Sequence, residues 1–176
     1  MPSGIDATVG GESANSYVTL EEANAYFDDR LNAAAWDDAS EENRTRALLQ
    51  ATRRLEQEEY EGEPVDPPVD ADVVGSRQAL KWPRHATDDD AGWTFDEEAV
   101  PEIVRRAQME LALAYLAADS DRDADTGLEG FAQVAVGPIE VTPRHAHRAG
   151  TLPENVRRIL RPVLRTSRGT VRLRRA

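Results

Sequence analysis

Residues 101–118 read PEIVRRAQMELALAYLAA. Counting from Val100, apolar residues recur at Ile103, Val104, Ala107, Leu111, Ala114, Tyr115 and Ala118, one face of a 3.6-residue helix held for about five turns. Pro101 suits the first helical position, which needs no backbone N–H, and Asp96, Glu97, Glu98 and Glu102 set negative charge at the positive end of the helix dipole. Met109, Leu113 and Leu116 add a second apolar stripe, so the C-terminal half should be covered on most sides. Glu102, Arg105, Arg106 and Glu110 are assigned to a solvent face without pocket chemistry. This is the central core helix, a scaffold around which the rest of the chain is read.

Upstream, residues 1–16 are small, polar and glycine-rich and read as a flexible N-terminal arm. Thr19 and Glu22 form a capping box that opens a helix over about 20–34, with Leu20, Ala23, Phe27, Leu31 and Ala34 as its buried stripe and Trp36 plugging a core edge. Ser40 caps a second helix from Glu41 to about Glu58. Its stripe is Arg44, Ala47, Leu48, Ala51 and Leu55, with Tyr60 closing the end, and Arg46, Arg53, Arg54, Glu56 and Glu58 are expected in solvent. Residues 61–92 hold too many prolines and acids for a helix and read as an irregular insert. Inside it QALKWPR (78–84) is an ordered island: Trp82 must be extended because Pro83 follows, and its ring is read as core, with an interface anchor as the alternative.

Downstream, carboxylates at 119, 121, 123 and 125 invite comparison with a calcium loop. An EF-hand starting at Asp119 would need Gly and Glu where Ala124 and Gly130 stand, so a solvated acidic linker is the reading. Residues 131–142 (FAQVAVGPIEVT) read as a β ribbon about Gly137-Pro138, at an edge or kinked and not at the centre of a sheet, because Pro138 has no N–H to donate. Leu152, Val156, Ile159, Leu160, Val163 and Leu164 then make a short amphipathic helix opened by Pro153 and kinked or ended by Pro162. Arg157, Arg158, Arg161 and Arg165 point away from that stripe. The final segment, 165–176, is basic and too poor in apolar residues to pack on its own body. The expected architecture is mainly α: a small bundle of about four helices with one β ribbon and extended termini, residues 17–164 forming the domain.

Charge divides the chain. It carries 33 acidic residues against 21 Lys and Arg, and Lys81 is the only lysine. Residues 1–143 have a net charge of −21, whereas 144–176, with ten Arg and one Glu, carry +9. A highly acidic, lysine-poor chain with ordinary periodic cores fits a salt-loving cell, where screening shrinks to about 3 Å at molar salt and carboxylate repulsion is tolerable. A GC-rich genome is the plainer source of the same bias. No apolar run approaches a membrane span, so no membrane partner is expected. Zero Cys removes disulfides and thiolate chemistry.

Chemistry is hard to find. His85, His145 and His147 are the only imidazoles, and none lies in a nucleophile or zinc-protease pattern. There is no glycine-rich phosphate loop and no nucleophile elbow. Carboxylate pairs carry no information on so acidic a surface. No enzymatic activity, cofactor or metal is expected.

Taken in order and spacing, SYVTLEEANAYFDDRL, ALLQATRRLE, QALKWPR, VPEIVRRAQMELALAYL and VGPIEVT resemble the head–tail connector (adaptor) proteins of tailed viruses, a family often called DnaT-like single-stranded DNA-binding proteins. The likeness spans about 16–164, and the composition points to a virus of a halophilic archaeon. It implies a homo-oligomer, twelve copies in a ring below the portal, which extends the DNA channel and presents a surface to the next tail component. It places the protein in the virion at the head–tail junction. The family's C-terminal portal contact, carried over, falls on Arg157, Arg158, Arg161, Arg165, Arg168, Arg172, Arg174 and Arg175, with Val171 and Leu173 adding apolar area. Transient contact between tail Arg and genome DNA also fits. The alternative implied by the family's other name is binding of single-stranded DNA. Against it, the ten aromatics lie mostly on helices or beside Pro rather than in a basic groove.

Overall fold

The computed structural model describes residues 4–65, 78–85, 87–88, 93–117, 134–136, 139–141 and 151–165. Among these residues five helices form, α1 (Leu20–Asp28), α2 (Ala34–Asp37), α3 (Glu41–Leu55), α4 (Glu102–Ala117) and α5 (Glu154–Leu160). Three two-stranded antiparallel ribbons accompany them: β1 (Glu63–Pro64) with β2 (Arg84–His85), β3 (Thr87–Asp88) with β4 (Trp93–Thr94), and β5 (Val134–Val136) with β6 (Ile139–Val141). The architecture is mainly α, as the periodicity predicts.

α4 is the hub, packing against α2, α3 and α5. Its expected stripe is buried through the middle of the helix, where Val104 and Ala107 are fully covered and Leu111 nearly so, while Val100, Ile103, Ala114 and Tyr115 are half-buried. Met109 and Leu113 are buried as well, which covers the helix on several sides. Pro101 sits one position earlier than expected, just before the helix, where its carbonyl accepts from the amides of Val104 and Arg105.

Two polar residues of α4 lie inside rather than outside. Gln108 is fully buried and joins three segments. Its Oε1 accepts from the Tyr17 amide (3.0 Å), and its Nε2 donates to Ser16 Oγ (2.7 Å) and to the Leu48 carbonyl (3.2 Å). Glu110, expected in solvent, is buried and grips Arg30 through two bonds, Nε–Oε1 at 2.8 Å and Nη2–Oε2 at 2.9 Å, while Tyr26 donates to the same Oε1. A buried carboxylate is tolerable only with such partners.

That pairing reshapes the first helix. The capping box at Thr19 and Glu22 is present, but α1 stops at Asp28 instead of reaching residue 34. Arg30 turns in to meet Glu110, and Asn32 takes the left-handed conformation (φ 62°), which Asn tolerates better than most residues. Leu31, expected in the buried stripe, is therefore 87% exposed, and Ala33 rather than Ala34 is buried. Trp36 fills the core edge as expected, 4.4 Å from the Phe27 ring centroid, its Nε1 donating to Asn24.

Residues 4–16 are tied down rather than free. Asp6 and Asn15 exchange bonds, the Gly11 carbonyl accepts from the Ala79 amide, and Ala14 and Ser16 are buried. α3 begins at the Ser40 cap as expected and ends at Leu55, and Tyr60 closes its end by donating to the Leu55 carbonyl. Arg54 is buried, not solvated, and pairs with Glu58 at 2.8 Å.

The QALKWPR island is core. Trp82 is 1% exposed and packs edge-on between Tyr60 and Phe95, at 5.4 and 4.8 Å. Its peptide bond to Pro83 is cis. The expected ribbon is formed by β5 and β6, with Val136 opposite Ile139. The acidic linker at 119–129, and with it any cation site there, lies outside the described residues.

Candidate functional site

α5 follows Pro153, whose carbonyl accepts from the Arg157 amide at 2.9 Å. Val156 and Leu160 are fully buried, and Leu152 (5%) and Val163 (2%) extend the same stripe onto the core. Helical spacing then fixes the opposite side, and Arg157, Arg158 and Arg161 are exposed together. Pro162 ends the helix in a turn, in which the amides of Val163 and Leu164 both reach the Leu160 carbonyl.

The chain next pairs with the segment after α3. The Arg165 amide donates to the Glu59 carbonyl (2.8 Å), the Glu61 amide to the Val163 carbonyl (2.9 Å), and Tyr60 and Leu164 face each other in an antiparallel bridge. Between these segments lies an open groove of about 810 Å³. Gln57, Glu58 and Glu59 form one wall and α5 with its flanks the other; Leu152 and Leu164 contribute apolar surface.

The first wall is fixed from beneath by the island residues. Glu56 lies below it and accepts from the Tyr17 hydroxyl and from the Lys81 amide (2.9 Å). Lys81 Nζ donates to the Glu58 carbonyl at 2.8 Å, a cation placed where α3 leaves carbonyls unpaired. Arg84 donates to the carbonyls of Glu61 (2.9 Å), Lys81 (3.2 Å) and Gly62, and its guanidinium lies over the Tyr60 and Trp82 rings. Burial raises the Glu56 carboxyl above 4.5, against the opposing pull of the Tyr17 and Lys81 hydrogen bonds. Burial, reinforced by the Glu56 charge, holds the Tyr17 and Tyr60 phenols well above their usual range, and burial also lowers Arg84. These groups serve the wall and do not reach the groove.

Electrostatically the groove is uneven. Glu58 is occupied by Arg54, and Glu154 approaches Arg158 only at 3.9 Å. Among the described residues, Arg157, Arg161 and Arg165 have no carboxylate within 4.0 Å. Guanidiniums displayed this way present planar donors suited to carboxylate or phosphate. None of the described aromatic side chains lines the groove. Tyr17, Phe27, Trp36, Tyr60 and Trp82 are buried, and Tyr26, Phe95 and Tyr115 pack against the core.

Four of the sequence-predicted site residues, Arg157, Arg158, Arg161 and Arg165, are thus brought together. Arg168, Val171, Arg172, Leu173, Arg174 and Arg175 lie outside the described residues. The facing wall at 57–59 was not anticipated. Its only sequence signal is the acidic run QEEYEGE (57–63), a counter-charge to α5 that needs the long-range Tyr60–Leu164 pairing to acquire meaning.

Among the described residues no three His, Asp or Glu converge on a metal-sized site, and no helix is long and apolar enough to cross a membrane. Neither the curated proteins nor the solved structures contain a match to the chain. One family model matches residues 5–176, nearly the whole chain and every element described above. The chain therefore belongs to the family described as "Putative DnaT-like ssDNA binding protein".

Proposed function

We propose that the protein is a non-catalytic assembly subunit whose α5 arginine face and following tail dock on an acidic protein surface. It would act as a head–tail connector in the virion of a tailed virus infecting a halophile, forming a ring between portal and tail. The observation that carries this reading is the row Arg157, Arg158, Arg161 and Arg165 beside a groove with apolar surface and, among the described residues, no aromatic lining. Arginine is the residue of choice for protein interfaces, where a guanidinium can pair and stack at once.

Binding of single-stranded DNA is the second reading, and the family description favours it over the first. The same unpaired guanidiniums would suit phosphates. Two considerations weigh against it. Non-specific single-strand binders rely on stacking platforms, and no described aromatic side chain supplies one in this groove. A binder making 6–10 phosphate contacts also loses about 10³–10⁵ in affinity between 50 and 200 mM salt, so molar salt would release it.

Truncation after Arg165 tests the first reading. It keeps the Tyr60–Leu164 bridge, so the domain should stay folded, yet attachment to the portal should be lost. Retained attachment would remove the tail from the docking surface and leave the α5 arginines alone to carry it, which Arg157→Glu with Arg161→Glu then tests. Titrating a labelled oligothymidylate in dilute and in molar KCl tests the second. Tight binding at molar salt, abolished by Arg157→Glu with Arg161→Glu, would establish it.

A further inference from the structure

Leu31 is the most exposed large apolar side chain among the described residues, at 87%. It is also held in place. Arg30 Nη1 donates to the carbonyls of Leu31 (3.1 Å) and Asn32 (3.2 Å), while its Nε and Nη2 are locked on buried Glu110. A loop frozen in advance loses little entropy on binding, so an apolar tip presented this way is suited to insertion into a partner. Its surroundings are acidic: Asp28, Asp29, Asp37 and Asp38 are all exposed.

The α5 side of the groove has the complementary character, apolar at Leu152 and Leu164 and cationic at its four arginines, which outnumber the carboxylates of Glu58, Glu59 and Glu154 around it. Knob and groove lie at opposite ends of α3. Arg44, near the start of that helix, donates to the Trp36 and Asp37 carbonyls and so fastens the 28–38 region there, whereas Gln57–Glu59 follow its last turn. The fifteen residues of α3, about 22 Å of helix axis, run between these two regions. One copy therefore cannot fill its own groove.

We propose that the 28–32 loop of one copy seats Leu31 in the α5 groove of the next, with Asp28 and Asp29 meeting Arg157, Arg158 and Arg161. Because the two patches differ, the contact is head-to-tail and passes from copy to copy, closing into a ring when the rotation allows. The inference rests on the assembly reading of α5 and names a second copy of this chain as the occupant of the groove, leaving the tail for the portal.

Sedimentation of the full chain in molar KCl tests this. The wild type should associate. Leu31→Ala should weaken association by about 10- to 150-fold, the value of burying one leucine side chain. Leu31→Asp, and separately Arg158→Glu with Arg161→Glu, should each stay monomeric while keeping wild-type circular dichroism. Mixed together, these two should form a heterodimer and nothing larger, since the mixture restores one intact interface per pair. A monomeric wild type, wild-type association by Leu31→Asp, or a mixture that remains monomeric would overturn the proposal. So would groove variants that associate normally but lose oligonucleotide binding. Portal capture of the same proteins separates the two claims. Capture by a monomeric wild type leaves the assembly reading standing and removes this contact; association without capture does the reverse.

Discussion

Replacing Gln108 by Leu should destabilise the protein through a single orphaned amide. The two side chains have similar volume, so packing around position 108 changes little. What changes is hydrogen bonding. Ser16 Oγ keeps its bond to the Val18 carbonyl (2.6 Å), and the Leu48 carbonyl keeps the Thr52 hydroxyl (3.0 Å). The Tyr17 amide, in a residue 4% exposed, loses the acceptor it has at 3.0 Å. Leaving one buried donor unpaired costs about 1–3 kcal/mol. For a chain of this size each kcal/mol moves the thermal midpoint by about 2–4 °C, so a drop of about 2–12 °C is expected. Thermal and urea unfolding followed by circular dichroism would measure it, and the urea midpoint should fall at constant slope. Gln108→Glu should be worse, because it buries a charge beside the Leu48 carbonyl with no cation to meet it. An unchanged midpoint in Gln108→Leu would show that Tyr17 finds another acceptor and that Gln108 is not the tie between the N-terminal segment, α3 and α4.

Three further outcomes are expected. Burial raises Glu56 above 4.5, so the folded state holds that proton longer than the unfolded chain does. Its contribution to stability therefore falls as pH rises from 4.5 through the folded pKa. The stability of Glu56→Gln relative to wild type should climb over that window and then level off; parallel pH profiles for the two proteins would contradict this. His85 is raised above 6.5 by its hydrogen bond to Glu97 at 2.7 Å, and what stability it adds is present below 6.5 and lost as pH rises through the folded value. In an NMR titration Glu97→Gln should bring His85 back toward 6.5, and an unmoved titration would assign the shift to another group. Leu160→Ala, at a fully buried position, should cost about 2–5 kcal/mol. It should also speed amide exchange in α5, and a variant as stable as wild type would show that α5 is not anchored through this residue.

The helices could be read from sequence wherever apolar spacing and caps agree, as at Thr19, Ser40 and the α4 stripe. Reading failed where a polar residue finds its partner far along the chain. Nothing local distinguishes Glu110 from the solvated Glu102, and only the arrival of Arg30, eighty residues away, draws it inside. The same event ends α1 early and turns Leu31 outward, so one unforeseen ion pair accounts for both errors in that region. Arg54 is a different case, since its carboxylate partner Glu58 is only four residues on, just past the helix end, and what went unread is that the pair lies against the core instead of in solvent. At the candidate site, helical spacing was enough to gather the arginines of α5, because the buried stripe leaves them one direction. The opposing wall depends on Tyr60 meeting Leu164, a pairing no local pattern encodes.

Lys81 has a practical consequence for anyone mapping contacts of this protein. It is the only lysine, it is half-buried, and its ammonium is spoken for by the Glu58 carbonyl. Besides the α-amino terminus, amine-directed cross-linkers and dyes would thus find a single reluctant side chain, and modifying it would disturb the end of α3. The absence of cysteine turns this to advantage: one engineered thiol, placed at Leu31, would report on neighbours of that loop against no background.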